Sequence, residues 1–197
     1  MDKLVEFADT HPEAAVLGAE LLNPDLTHQP SHARFPNPLA EAFLSASSWT
    51  SLSSDGNPHY PIETDVVSGA CFMVRCEVMN AVGMLDTAFD PIYSEEFDWC
   101  YRIKKAGHQV FLVPSAKIIH YGSYTMNQSM LRKIDLLYGH KALFFKKHYG
   151  EFGCWLYKLI LAVTSLTKAI VFSLTPSHSV RNKAAIHWHL AKKSMTF

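Results

Sequence analysis

Two periods of apolar spacing run through the chain, and the places where one gives way to the other mark its elements. Residues 2–10 put Leu4, Val5, Phe7 and Ala8 on one side of a helix that His11-Pro12 stops. The apolar run Ala14–Leu22 reads as a buried strand. Asn23–Asn37 follows as loop, with an Asn-Pro-Asp turn, three prolines and two histidines. Leu39–Asn57 is rich in Ser and Ala and predicts no element, and Pro58 and Pro61 close it. Asp65–Arg75 is apolar and β-branched with Gly69 in its middle, which predicts a second buried strand. Glu77–Val82 reads as a short helix ended by Gly83, and Leu85–Pro91 as a loop. Ser94 is placed to cap a helix over Glu95–Ala106, which Gly107 terminates. Gln109–Val113 predicts a strand halted by Pro114, and Ala116–His120 a further extended segment. From Met126 to Tyr149 the pattern is helical, with Ile134, Leu137, Tyr138, Lys141, Phe144 and Phe145 at helical spacings. Strands alternating with helices predict an α/β domain.

Composition narrows the class. The 197 residues suffice for one domain with an appendage, and 48% hydrophobic with 18% charged residues excludes a disordered chain. A formal charge of zero argues against a globally basic nucleic-acid binder. The balance hides an asymmetry, because all 18 acids lie in residues 1–151 while residues 152–197 hold six of the 18 bases. An acidic body (1–150) with a basic, apolar tail (151–197) implies a domain that leans on an anionic surface, a membrane. Cys71, Cys76, Cys100 and Cys154 form no Cys-x-x-Cys pair and read as reduced thiols packed as small hydrophobes. The first residues carry acids and no apolar leader, so a cytosolic location is expected, peripheral on the inner face of the plasma membrane.

The tail supports that placement. Trp155–Leu174 is 20 residues, about 30 Å as a helix and long enough to cross a bilayer. Lys158 and Lys168 oppose a span, since a central Lys costs roughly 2.5–3.5 kcal/mol. Lys158, Ser165 and Lys168 share one stripe, so amphipathic helices lying in the interface fit better than a crossing or an ordinary covering helix. His187 and His189, with His28 and His32, raise the thought of a metal hydrolase. Pro30 separates His28 from His32, and the sequence puts no carboxylate beside the tail pair.

The densest chemistry is the run Tyr93-Ser94-Glu95-Glu96-Phe97-Asp98-Trp99-Cys100-Tyr101-Arg102. Glu95, Asp98 and Arg102 share a helix face, and Asp98 and Arg102 are spaced to pair at i, i+4. Glu96 points elsewhere, toward whatever lies beyond the helix start. Acids in a first turn also serve simply to complement the helix dipole, at about 0.3–1 kcal/mol each. Gly69-Ala70 permits close backbone approach, and His120 closes an extended segment where an imidazole can ligate a metal.

In order along the chain, the runs VVSGACFMVR and VGMLDTAFDPIYSEEFDWCYRIKKAGHQVFLVPSAKIIHYG resemble the second half of a family 2 glycosyltransferase domain. The likeness is greatest to the bacterial rhamnosyltransferase-like branch that builds cell-surface polysaccharides. The upstream LLNPDLTHQPSHARFP and the downstream KKHYG fit it too, so the resemblance covers roughly residues 2–150. It implies a GT-A fold, a Rossmann-like sheet that binds a nucleoside-diphosphate sugar with a divalent metal, Mg or Mn. It also implies transfer of a sugar, rhamnose among the candidates, to a cell-surface saccharide or lipid-linked acceptor, with inversion. By resemblance, Glu95-Glu96 contains the catalytic base, with Glu96 at the position most often given that role. A carboxylate suits the task because a sugar hydroxyl is a poor nucleophile until a positioned base takes its proton. The same likeness puts Ser68, Gly69 and Ala70 on the acceptor side, Asp98 and Arg102 as a supporting helix-face pair among the substrate-binding positions, and His120 near the metal or diphosphate.

One departure accompanies the match. The family's first half carries the nucleotide-binding strands and an Asp-x-Asp metal motif, and no Asp-x-Asp occurs in these 197 residues. The expectation is therefore a partial GT-A domain that keeps the acceptor side and the base, lacks most of the donor site and does not turn over alone. The alternative is a non-catalytic, membrane-associated remnant or accessory protein.

Overall fold

A computed structural model describes residues 1–37, 49–50, 60–122, 130–175 and 177–197. Most of the segment from Leu39 to Asn57 and the residues Met126–Ser129 lie outside those described. The chain folds as two compact units, one of Met1–Phe35, Ser47–Pro91 and Glu95–Thr125, the other of Pro36–Ala46, Ile92–Ser94 and Met126–Phe197.

The first unit is mixed α/β. Helix α1 (Asp2–Thr10) leads into strand β1 (Ala14–Leu22), the apolar run that is buried along almost its whole length. Short strands β2 (His32–Ala33), β3 (Trp49–Thr50), β4 (Ile62–Thr64), β5 (Val66–Val67) and β6 (Phe72–Val74) follow. Then come helix α2 (Cys76–Val82), helix α3 (Glu95–Lys105) and the long strand β7 (Gln109–Ile119). One sheet has the order β4-β7-β1-β6, with β1 parallel to β7 and antiparallel to β6; a second, antiparallel sheet has the order β3-β2-β5.

Apolar side chains on the two faces of β1 explain why the sheet is covered on both sides. Leu4 and Ala8 of α1 pack with Ala14, Leu17 and Ala19. Trp99, Cys100 and Ile103 of α3 pack with Val16, Val66, Val67 and Val110. Gly18 allows the second sheet to approach, since a Cβ there would stand 2.5 Å from that of Val67. Arg75 ties α1 to the sheet, donating from Nε to the Ala14 carbonyl at 2.8 Å and from Nη2 to the carbonyls of both Ala8 and His11. Those acceptors include the carbonyls that a helix end leaves unsatisfied.

Three local expectations change. Asp65–Arg75 is two short strands in different sheets, because Ser68–Ala70 turns the chain between them. Strand β7 does not stop at Pro114. It continues to Ile119, and the register passes from Ala19↔Val113 to Glu20↔Lys117, so an irregularity takes up Pro114, Ser115 and Ala116. A proline, which has no N–H to give a ladder, is tolerated at such a bulge. Ser94 has φ 71, outside the extended region that an N-cap residue adopts.

The second unit is helical. Helix α4 (Met130–Leu174) is broken at Gly150, whose φ of 74 and ψ of −176 leave the helical region, giving arms 130–149 and 151–174. Helix α5 (His178–Lys193) packs back along α4. Phe145 and Tyr157 stack at 4.7 Å across the break, in a cluster with Ala142, Cys154 and Leu161. Of the polar stripe read from the tail, Ser165 is buried while Lys158 and Lys168 are half-buried. His189 does have a carboxylate beside it, as its Nε2 lies 2.7 Å from Asp135 Oδ1 and Lys193 takes the other oxygen. Sequence spacing could not show this, because Asp135 is 54 positions away.

Candidate active site

The carboxylate-rich helix start is built from the loop that precedes it. Asp86 accepts from Ala88 N at 2.9 Å and starts a 3-10 turn over Thr87–Phe89, which buried Phe89 anchors. Tyr93 (φ 80) and Ser94 (φ 71) then stand in succession in the left-handed region. Non-glycine residues there cost of order 1–3 kcal/mol each and gather where function holds the backbone in place. Helix α3 begins at the next residue. Leu85, Asp86, Thr87, Phe89, Asp90, Pro91 and Glu95 line a cleft of about 180 Å³, so Glu95 forms part of its wall.

Glu95 and Glu96 each keep an Oε2 that is sealed from solvent and has no hydrogen-bond partner among the described residues. Burial pushes the Glu96 carboxyl up to about 8, and the adjacent Glu95 charge and a hydrogen bond with Glu95 push in the same direction. Cys100 lies one helical turn further along. Its thiol is pushed up to about 12, chiefly by burial, with Glu96 adding to the effect and a hydrogen bond to the Val67 backbone opposing it. Cys100 thus joins α3 to Val67, the residue before the Ser68–Ala70 turn. A Cβ at Gly69 would have nothing within 4 Å, and Ser68 Oγ accepts from Ala70 N at 3.3 Å.

Asp98 and Arg102 brace the helix. Arg102 Nε donates to Asp98 at 2.9 Å, the pairing their spacing predicts, and Asp98 is fully buried. The other guanidinium nitrogens donate to the carbonyls of Val82 at 2.9 Å and Met84 at 2.7 Å, while Trp99 Nε1 donates to Gly83 O at 2.8 Å. These bonds fasten α3 to the end of α2 and to the loop that starts the cleft.

His120 belongs to a separate network. Its Nδ1 donates to Gln29 Oε1 at 3.0 Å, and Gln29 Nε2 donates to the His120 carbonyl at 2.6 Å and to Asn23 at 2.7 Å. Among the described residues no three His, Cys, Asp or Glu side chains converge where an ion could sit. His120 is thus a single potential donor, and these residues do not by themselves make a divalent-cation site.

The apolar reading of β1 passed over Glu20. It is fully buried, with one oxygen against His28 Nδ1 and the other 3.2 Å from Lys117 Nζ. A lone acid inside an apolar strand was the available signal, and its partners come from the Asn-Pro-Asp loop and from β7.

No protein-family model matches the chain. Two sequences of Mycobacterium tuberculosis, from strain CDC 1551 / Oshkosh and strain ATCC 25618 / H37Rv, are each named N-acetylglucosaminyl-diphospho-decaprenol L-rhamnosyltransferase. Each is 28% identical to this chain over 134 residues, 64% of the chain and 43% of the relative. The chain spans less than half the length of these curated relatives. The mixed sheet with helices on both faces is compatible with a partial Rossmann-like domain, and the sequence match makes the chain a distant relative of a glycosyltransferase.

Proposed function

We propose that this chain supplies the acceptor side and the general base of an inverting glycosyltransferase. The observation that carries the reading is the Glu95-Glu96 pair, with sealed, unpartnered oxygens behind a strained loop and beside a cleft. In this reading Glu96 takes the proton of an acceptor hydroxyl as that oxygen bonds to the anomeric carbon of the donor sugar. The bond from that carbon to the diphosphate oxygen breaks with inversion, and the diphosphate leaves. A carboxyl near 8 is a far stronger base than an ordinary glutamate and is still partly ionised at neutral pH.

The names of the relatives point to L-rhamnose as the transferred sugar, carried in this reading on a nucleoside diphosphate, and to a polyprenyl-diphosphate-linked saccharide as acceptor. Because the chain holds no Asp-x-Asp, the nucleotide-binding residues and the ligands of any divalent cation come from outside these 197 residues in this reading, with His120 contributing at most one donor atom. The isolated chain then does not turn over.

The test is transfer of labelled sugar to a polyprenyl-diphosphate saccharide by the native protein from its own cells, with its associated polypeptides. Product formation that Glu96→Gln abolishes supports the reading. Transfer that survives Glu96→Gln but not Glu95→Gln moves the base by one residue. The absence of transfer in every preparation favours an accessory protein.

A further inference from the structure

One face of arm 151–174 is an apolar stripe that none of the described residues covers. Phe152, Trp155, Leu159, Val163, Leu166 and Ile170 are all exposed, from 38% at Leu159 to 73% at Phe152. They recur at intervals of 3, 4, 4, 3 and 4, and the series reaches Leu174, itself 79% exposed. That eleven-residue repeat lies close to the helix's own period, so the stripe runs nearly straight along one side. The opposite side carries Tyr157, Leu161, Ser165 and Ala169, buried in the unit where α5 packs along α4. Ser165, a polar residue of the arm, is thus on the packed side, and the large exposed residues on the other side are apolar.

We propose that this stripe is a docking surface for an anionic lipid bilayer, on which the α4–α5 hairpin lies in the plane of the interface. Charge selects the occupant. Residues 152–197 carry six bases and no acid, and Arg181, Lys183 and Lys192 are exposed, so the segment bearing the stripe is drawn to a negatively charged leaflet such as the cytosolic face of a plasma membrane. Trp155 and Phe152 supply rings of the kind that settle at the headgroup boundary. Helix α5 selects the orientation. A crossing would strip it from the arm or take its Arg181, Lys183, His187 and His189 into hydrocarbon, whereas lying flat keeps the packed face on the water side. The inference is independent of the transferase reading, since it rests on the second unit alone.

The test is co-sedimentation of the full chain with vesicles of phosphatidylcholine, with and without phosphatidylglycerol, lipids that carry no sugar acceptor. Binding is expected on the anionic vesicles and markedly less on the neutral ones. The double variant Leu166→Glu, Ile170→Glu, which alters only exposed positions, is expected to lower the bound fraction about tenfold with helicity by circular dichroism unchanged. Tyr60→Glu, at an exposed apolar residue of the other unit, leaves it unchanged. Equal binding by the double variant overturns the proposal. So does a wild-type chain that ignores vesicles but self-associates through the stripe in sedimentation velocity, which assigns the surface to a second copy. Bound chain that resists alkaline carbonate extraction overturns the in-plane placement.

Discussion

The end of β1 and the first turns of α3 both seal carboxylates from water, and they equip them differently. Glu20 on β1 is fully buried between two basic side chains, one oxygen against His28 Nδ1 and the other 3.2 Å from Lys117 Nζ. Asp98 on α3 is equally buried and is answered by Arg102. Glu96, two residues before Asp98, shares that helix, but among the described residues no basic side chain pairs with it. Its nearest acid, Glu95, raises its proton affinity further. Burial alone therefore does not mark a working acid in this fold. A buried carboxylate with a partner holds elements together, and one without a partner is a group whose proton is available for chemistry.

The largest effect separating the two kinds is expected at Glu96. Glu96→Gln keeps the shape and removes the base, so transfer falls by about 10²–10⁴-fold while the denaturant midpoint stays or rises, because no ion pair is lost. The reverse pattern, a destabilised protein with normal transfer, would place Glu96 with the paired acids. Arg102→Ala is the opposite test. It leaves Asp98 buried without its cation and frees the Val82 and Met84 carbonyls, so a loss of about 3–5 kcal/mol is expected in denaturant unfolding. Glu20→Gln falls below it, at about 1–3 kcal/mol. Lys117 and His28 are 50% and 35% exposed and regain water when the acid is neutralised, which the more enclosed Arg102, at 20%, does less readily.

Legibility followed the range of the interactions. Strand β1 and helices α1, α2 and α3 were readable because a strand or a helix imposes its period on consecutive residues, and Asp98–Arg102 because a helix fixes the neighbour at i+4. The path of β7 through Pro114 was not readable, since whether a proline ends a strand depends on a bulge against β1 that only the pairing reveals. Glu20 was lost for the same reason: His28 lies nearby in sequence but Lys117 does not, and an acid in a strand is explained only once both are in place. In the candidate site the carboxylates themselves stood out, whereas the features that set Glu96 apart, its sealed oxygen and the left-handed Tyr93-Ser94 before it, are properties of the folded loop.

The effect that is smallest over any one pH unit, and that tests the comparison most directly, is the response to pH. Glu96 rises from an ordinary 4.5 when unfolded to about 8 when folded, so between those values the folded chain holds a proton that the unfolded chain has released. Stability contributed by that proton is complete below pH 4.5, declines as pH rises, and is gone above about 8. One proton changes stability by at most about 1.4 kcal/mol per pH unit. Catalysis runs the other way. The base must be ionised, so transfer rises with pH, is half-maximal near 8 and levels off above it, and rate and stability oppose each other across the same window. Thermal unfolding midpoints for wild type and Glu96→Gln, measured from about pH 5 to pH 9, should converge at the acid end and separate at the alkaline end, with the variant the more stable. Parallel curves would show that Glu96 ionises alike in folded and unfolded chains, which would remove what sets it apart as a base.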